Sequence, residues 1–203
     1  AAEWLQLNGG ERSREYLGLM AQHLELAGEL ERAALLLKQA GEQAAQQFAN
    51  AEALQALEHA LELTDPQKKR QRFEIGLALE NVLNLIGECA TQVEQALCQL
   101  QTLAEEMDDP QAKAAVALRL SSFSEINGDY PRAIEAACFA VQQAAGPDLL
   151  AEGYLLWGRG LWRQGRLDEA VERLQQALDA ARSADVLPVQ AVALRILGAI
   201  RFS

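Results

Sequence analysis

Arg159, Trp162 and Arg163 carry the clearest chemistry in this sequence, because they bring two guanidinium groups close to a large aromatic ring. A guanidinium binds a carboxylate through a planar fork of N–H donors, and an indole ring offers a face to cations and apolar groups. Arginine and aromatic side chains also dominate the binding energy of protein interfaces. The three residues therefore predict a site for a peptide that carries acidic groups. The structural alternative is that Trp162 packs on an adjoining helix while the arginines pair with Glu152 or Glu169.

Residues that could catalyse a reaction or bind a metal are few and poorly spaced. His23 and His59 are the two histidines of the chain, and neither has a Cys, Asp or Glu at metal-ligand spacing beyond chance. Cys89 and Cys98 are nine positions apart, too far for a paired metal site. The Gly-x-Gly segment at 158–160 lacks a third glycine and a preceding strand, and no phosphate-binding loop is present in the sequence. We therefore predict no enzymatic activity, no metal and no cofactor.

One basic run, Lys68-Lys69-Arg70-Gln71-Arg72, stands out in an acidic chain. It could contact an acidic partner or a sister domain. A solvated first helical turn after Pro66 is the alternative, although positive charge is unfavourable at that end of a helix dipole.

The composition favours an all-α protein that does not bind nucleic acid. The 203 residues are rich in Ala, Leu, Glu and Gln, which are strong helix formers, and only 5% are aromatic. The net charge of −11 argues against a phosphate-binding surface, which needs clustered Lys and Arg. Residues 1–65 hold 11 acidic and 4 basic side chains, whereas residues 129–203 hold 9 and 8. A solvated helix face explains the acidic end, and recruitment of a basic partner is the alternative.

Cysteine usage and the two ends of the sequence bear on its location and completeness. Cys89, Cys98 and Cys138 are odd in number and unpaired in spacing, which predicts buried thiols in a reducing compartment and hence the cytoplasm. No signal peptide or membrane-spanning apolar run is visible, so no membrane partner is expected. Since the sequence stops inside a predicted helix, we expect it to be a fragment of a longer chain. Residues 1–11 are expected to be poorly ordered or to form a capping segment.

Apolar periodicity predicts about ten helices joined by short connections, with no strand. Asp65-Pro66, Asp109-Pro110 and Gly146-Pro147 each predict a helix start, and Asn50 is a predicted cap. The predicted helices cover residues 12–27, 29–47, 50–63, 66–87, 90–107, 110–127, 130–145, 148–164, 167–182 and 186 onward.

A glycine followed by two small residues recurs along the chain and sets the phase of these helices. Gly165 is followed by Ala170 and, seven positions later, by Ala177. Seven positions are two helical turns, so both alanines lie on one helix face and allow close packing. The pattern predicts repeated antiparallel helix pairs. The predicted packing positions are Ala21, Gly28, Ala33, Ala40, Ser121, Gly128, Ala133, Ala140, Gly158, Gly165, Ala170, Ala177 and Gly198.

Residues 154–177 resemble the tetratricopeptide repeat, a helix–turn–helix of about 34 residues with small and aromatic residues at fixed places. Tyr154 and Trp157 hold the large places in this match, and residues 117–140 and 20–40 follow the same pattern. The resemblance covers nearly the whole chain. It implies a single all-α domain over 1–203, a right-handed superhelical solenoid of antiparallel helix pairs. The repeats here are 37 and 40 residues apart, longer than the family period.

In tetratricopeptide arrays the first helix of each pair lines a concave groove, so the resemblance also implies binding positions. The Lys and Asn of the chaperone-type carboxylate clamp are absent from these places, so that specificity is not expected. The groove positions implied by the family frame are Leu118, Ser122, Glu125, Leu155, Arg159, Trp162, Arg163 and Arg195, with Phe202 continuing them.

The long helices and irregular period resemble the repeats of large bacterial signalling proteins. Residues 20–65 in particular resemble the start of the repeat region that follows the ATPase module of AAA-type or STAND proteins linked to cyclase, kinase or transcription-regulator domains. The resemblance implies a non-catalytic interaction or scaffold module in signal transduction, whose partner is a protein, a peptide or a sister domain. Sensing of a small effector and self-association are the alternatives. The sequence leaves the oligomeric state open.

Overall fold

The computed structural model describes residues 13–87 and 90–202, without the side chains of residues 13–15. Ten helices and no strand occur in this described part of the chain. Neighbouring helices pack in antiparallel pairs, so the predicted all-α solenoid fold of helix pairs is confirmed. The helices are α1 Ser13–Leu26, α2 Leu30–Gln46, α3 Asn50–Leu63, α4 Lys69–Ile86, α5 Ala90–Glu106, α6 Pro110–Ile126, α7 Tyr130–Gln143, α8 Pro147–Arg163, α9 Leu167–Ser183 and α10 Leu187–Arg201.

The chain divides into two compact units, Ala1–Met107 and Asp108–Ser203. The first unit contains α1 to α5, and its core is built from fully buried Ala53, Leu57, Ala60 and Ile75 on α3 and α4. Helices α2 and α4 lie side by side in this unit, as well as packing on α3 between them.

The basic run starting at Lys68 lies at the first turn of α4 and makes ion pairs and hydrogen bonds within the first unit. Lys68 pairs with Glu31 on α2, and the Nζ of Lys69 lies 3.0 Å from a carboxylate oxygen of Glu106 on α5. Arg72 donates hydrogen bonds of 2.9 Å to two backbone carbonyls at the end of α3. These cations complete helix ends and ion pairs within the unit.

The start of α4 and the cap of α3 differ from the prediction. Asp65 accepts a hydrogen bond from the N–H of Gln67, 2.8 Å away, which makes a turn and delays α4 until Lys69. Asn50 lies inside α3, whose N-cap is Ala49. In contrast, Asp109 caps α6 as predicted, since its carboxylate accepts from the next two free helical N–H groups.

The second unit contains α6 to α10, and its first helices of each pair, α6, α8 and α10, lie side by side. The small residues of the predicted frame explain how α8 approaches α9. A Cβ added to Gly158 would lie 2.8 Å from the Cγ of Leu174, so only a glycine allows this contact. On α6, the hydroxyl of Ser121 donates a 2.8 Å hydrogen bond to the carbonyl of Ala133 on α7.

Turns between paired helices use one left-handed residue, as the glycines predict. Gly28, Gly128 and Gly165 have φ values of 78°, 78° and 76°. After α2 and α9 the same place is taken by Phe48 and Asp185, with φ values of 61° and 55°. In all five turns the following N–H donates back to a carbonyl five residues earlier, which closes the helix end.

Six of the seven predicted packing alanines are buried, and Ala40 is half-buried beside the first unit's core. At four of the predicted glycines, a Cβ would meet nothing within 4 Å in the described chain; these are Gly28, Gly128, Gly165 and Gly198. The buried members are Ala21, Ala33, Ala133, Ala140, Ala170 and Ala177.

The predicted burial of the cysteines is wrong where it can be checked. The Cys98 side chain is exposed and that of Cys138 is half-buried, because Cys98 lies on the outer side of α5, away from buried Leu97 and Leu100. Cys89 and residues 1–11 lie outside the described residues.

Candidate partner-binding site in the second unit

Glu125, Arg159, Trp162 and Arg163 meet where α6 and α8 lie side by side; we call these four residues the Glu125 cluster. Glu125 comes from the last turn of α6, and the other three come from the end of α8. Both Nε and a terminal nitrogen of Arg159 donate to one carboxylate oxygen of Glu125. The Nε of Arg163 lies 3.5 Å from the other oxygen. One carboxylate therefore joins two guanidinium groups across neighbouring repeats.

The members of the cluster differ in their access to solvent. The Glu125 side chain is 9% exposed, that of Arg159 is 27% exposed and that of Arg163 is 51% exposed. The carboxylate is thus enclosed by its partners, while one guanidinium remains half open. Two cations and one anion leave the cluster with an excess positive charge, in a chain whose net charge is −11. Such a site attracts a further carboxylate.

Trp162 is half-buried and packs against the core formed by α8, α9 and α10. The guanidinium carbon of Arg163 lies 5.2 Å from the centre of its ring, within the range of a cation–π contact. The structural alternative for Trp162 is therefore right in part. For the arginines it is wrong, because both pair with Glu125, whereas Glu169 in the first turn of α9 accepts hydrogen bonds from Arg166, the N-cap of that helix.

The other predicted groove positions do not join this cluster. Leu118 and Leu155 are buried, so their assignment to a binding surface is wrong: both face the core between helices. Ser122 is half-buried on α6. Arg195 and Phe202 are exposed on and after α10, and Arg195 makes no ion pair or hydrogen bond within the described residues.

A second arginine–aromatic stack was missed by the sequence analysis. The guanidinium of Arg173 on α9 lies 4.3 Å from the centre of the Trp157 ring. The Tyr154 and Trp157 rings are stacked on α8, with centres 6.4 Å apart. The spacing of the two aromatics on one helix was a signal for their contact, but Arg173 reaches them from another helix, and no local pattern announces it.

The chain is similar in fold to known helical-repeat proteins over most of its length. The "MamA RS-1 ArsTM double mutant" matches with a TM-score of 0.64 at 20% identity, over 91% of this chain and 92% of that one. The structure of YrrB, described as a tetratricopeptide protein with an unusual peptide-binding site, matches with a TM-score of 0.55 at 20% identity, over 97% of this chain and 98% of that one. The fold is tetratricopeptide-like.

A further MamA crystal structure matches with a TM-score of 0.59 at 16% identity, over 86% of this chain and 94% of that chain. These identities are low, so the likeness concerns the fold. No protein-family profile and no curated protein sequence matches the chain.

Two further features of the described residues concern ligands and membranes. None of their helices has both the length and the apolar character needed to cross a bilayer. No group of three or more His, Cys, Asp or Glu side chains in that part of the chain could hold a metal ion. His59 pairs instead with Glu25, at 3.4 Å.

Proposed function

We propose that this chain is a non-catalytic interaction module that binds an acidic segment of a protein at the Glu125 cluster. The observation that carries the proposal is the unequal charge of the cluster: two guanidinium groups share one enclosed carboxylate. The tetratricopeptide-like fold supports it, because stacked helix pairs offer continuous surfaces to partners.

The contacts within the Glu125 cluster give its residues different roles in binding. Glu125 holds Arg159 in place through the shorter contacts, so Arg159 is the fixed guanidinium of the cluster. Arg163 is more exposed and makes the longer contact, so it is the residue that can turn towards an incoming carboxylate. Trp162 supplies the apolar floor beneath that guanidinium and fixes its height above the helix. An acidic side chain flanked by an apolar one fits this arrangement.

The resemblance of residues 20–65 extends the proposal to the parent protein. We place the module in a cytoplasmic bacterial signalling ATPase or transcriptional regulator, as its regulatory repeat region. Its partners would then include sister domains of the same chain. A pull-down with those domains tests this extension, and the absence of any interaction at high micromolar concentration would count against it.

The binding site itself is tested with defined peptides. The probe is a fluorescein-labelled peptide of alternating leucine and glutamate, and its leucine–glutamine counterpart is the uncharged control. We expect Arg163→Gln to weaken binding of the acidic peptide about tenfold, as for the loss of one charge-assisted hydrogen bond. Binding should also weaken as salt is added.

The matched control is Arg182→Gln. Arg182 lies on α9 in the same unit and is 60% exposed, against 51% for Arg163. It is paired with Asp179 at 3.7 Å and lies outside the cluster. Unchanged affinity in Arg163→Gln, or an equal loss in Arg182→Gln, would remove the Glu125 cluster as the binding site. Circular dichroism of each variant shows that the fold is retained.

A further inference from the structure

A cavity of about 320 Å³ lies between α3, α4 and α5 of the first unit and is partly open to solvent. Its walls are mainly apolar, with Leu61 from α3, Leu79 from α4, and Leu100 and Leu103 from α5. Leu100 is buried, whereas the other three side chains are half-buried and leave apolar surface uncovered. Pockets for small molecules measure about 300–1,000 Å³, so this cavity has room for one small ligand with an apolar part.

The cavity lies where the repeated pattern of small residues is broken. Helices α3, α7 and α9 each have two fully buried alanines seven positions apart, whereas α5 has Ala96 and then Leu103 at this spacing. The register of α5 is the same, because Leu100 lies against Gly76 as the equivalent leucine of α9 lies against Gly158. Since leucine is larger than alanine, α5 does not close on its neighbours at Leu103, and the cavity remains. The alanine pairs of the other helices are Ala53 and Ala60, Ala133 and Ala140, and Ala170 and Ala177.

Arg72 on α4 brings a half-buried guanidinium to the wall of this cavity. Its Nη1 donates 2.9 Å hydrogen bonds to the carbonyls of Leu61 and Thr64, at the end of α3. A guanidinium has five N–H donors. The three on Nε and Nη2 make no hydrogen bond and no ion pair within the part of the chain that the structure describes. They are the donors that bind a carboxylate in a fork.

The charge of Arg72 is also unusual within the first unit. Every other Lys or Arg whose side chain the structure describes there pairs with a carboxylate; these are Arg32, Lys38, Lys68, Lys69 and Arg70. Arg72 meets only the carbonyl end of a helix, which carries about half of a negative charge. It therefore keeps an excess positive charge beside an apolar wall, and the missing partner is an anion.

We propose that this cavity binds a small aliphatic carboxylate. The carboxylate accepts hydrogen bonds from Nε and Nη2 of Arg72, and the aliphatic chain covers Leu79 and Leu103. Arg72 keeps both of its bonds to α3, so binding does not open the end of that helix. The occupant is a small molecule because the volume lies at the lower end of the range for small-molecule pockets. The site belongs to the first unit and is separate from the Glu125 cluster.

Calorimetric titration of the full chain with octanoate tests the proposal. Octanol has the same chain without the charge, and acetate has the charge without the chain. We expect octanoate to bind at least tenfold more tightly than either, and added salt to weaken octanoate without affecting octanol. The amide resonance of Gly76, which lines the cavity, should shift on binding, while that of Gly158 in the second unit should not.

Two variants locate the site, each with a control on the same helix. Thr102 is exposed and lines the cavity, so Thr102→Trp should abolish binding of octanoate and octanol. Gln101→Trp is its control, since Gln101 is exposed on α5 outside the cavity. Arg72→Met should weaken octanoate at least tenfold and leave octanol unchanged. Arg70→Met is its control, because Arg70 pairs with Glu74 at 3.7 Å and does not line the cavity.

Arg72 also completes the end of α3, so the comparison of octanoate with octanol on the parent chain tests the same contact without a change to the fold. Absence of saturable octanoate binding at millimolar concentration overturns the proposal, as does equal affinity for octanoate and octanol. Unchanged octanoate affinity in Thr102→Trp would place the ligand elsewhere and overturn it too. Binding of the leucine–glutamate peptide that Thr102→Trp weakens would assign the cavity to a protein segment instead.

Discussion

Gly158→Ala is the sharpest test of how the second unit is packed, because it adds one methyl group at the closest approach of α8 and α9. The added Cβ would lie 2.8 Å from the Cγ of Leu174 and 3.2 Å from the Leu174 backbone nitrogen. Carbon atoms in contact sit about 3.5–4.0 Å apart. A rotation of the Leu174 side chain relieves only the first contact, so the α9 backbone itself has to shift.

Two opposing effects determine the size of the change. Alanine in place of glycine inside a helix stabilises by about 1 kcal/mol through backbone entropy. Overpacking of a tight core costs about 1–3 kcal/mol. At Gly198 only the first effect operates, since a Cβ there meets nothing within 4 Å in the part of the chain that the structure describes. We therefore expect Gly198→Ala to stabilise by about 1 kcal/mol and Gly158→Ala to be less stable than it by about 1–3 kcal/mol.

Urea unfolding followed by circular dichroism measures both variants against the parent chain. The reasoning also predicts an interaction between the two positions. With Leu174→Ala already present, the contact with the Cγ is gone and only the 3.2 Å contact with the backbone nitrogen remains, so Gly158→Ala should cost less than it does in the parent chain. Equal stabilisation by Gly158→Ala and Gly198→Ala would refute the claim that the glycine permits the α8–α9 contact. An undiminished cost of Gly158→Ala beside Leu174→Ala would show that the Leu174 side chain is not the obstacle.

Three further predictions concern individual side chains. Ser124→Ala should stabilise by about 1 kcal/mol, because its buried hydroxyl has no hydrogen-bond partner among the described residues. Ser121→Ala should destabilise by a similar amount, because it loses the hydrogen bond to α7. Urea midpoints of the two variants distinguish them, and shifts of equal sign would contradict the assignment. Phe48→Gly should raise the melting temperature, since an exposed L-residue at φ 61° costs about 1–2 kcal/mol, and a lower melting temperature would show that the ring makes a contact worth more than the strain. The hydrogen bond from Arg166 holds the pKa of Glu169 below its ordinary value. The stability that this hydrogen bond contributes is therefore present above the ordinary pKa of glutamate and is lost as the pH falls through the lowered pKa of Glu169. NMR titration of the Glu169 carboxyl carbon should show a higher pKa in Arg166→Gln, and an unchanged pKa would refute the pairing.

The fold was predictable from the sequence because its signals are local. Helix ends follow from single residues such as Asp109, and the phase of each helix follows from small residues at two-turn spacing, as in Ala170 and Ala177. The wrongly predicted positions are those where a residue type is compatible with two local structures or indicates none. Asp65-Pro66 reads as a helix start, but the Asp65 side chain closes a turn first. Phe48 is not a residue type that indicates a turn, so its left-handed conformation could not be predicted from the sequence. The backbone hydrogen bonds of the turn hold it in that conformation.

The candidate site was predictable only in part, because it is formed between repeats. The residue types at the end of α8 already indicated affinity for carboxylates, and the family frame placed Glu125 among the groove positions. Their pairing was not foreseen, since Glu125 and Arg159 are 34 residues apart and meet only once α6 and α8 lie side by side. The nearer acidic residues, Glu152 and Glu169, were the better candidates by sequence distance alone.

That pairing changes what the cluster can do. If Arg159 and Arg163 were both unpaired, each would contribute about equally to the binding of an acidic group. Because Glu125 pairs with Arg159, the charge of Arg159 is already neutralised, and the affinity for an acidic partner depends on Arg163. Removal of Glu125 would then strengthen, not weaken, the binding of an acidic peptide, because both guanidinium groups become available to it. Glu125→Gln tests this directly: tighter binding of the leucine–glutamate peptide than in the parent chain is expected, and weaker binding would show that the carboxylate is needed to hold Arg159 and Arg163 in a binding geometry.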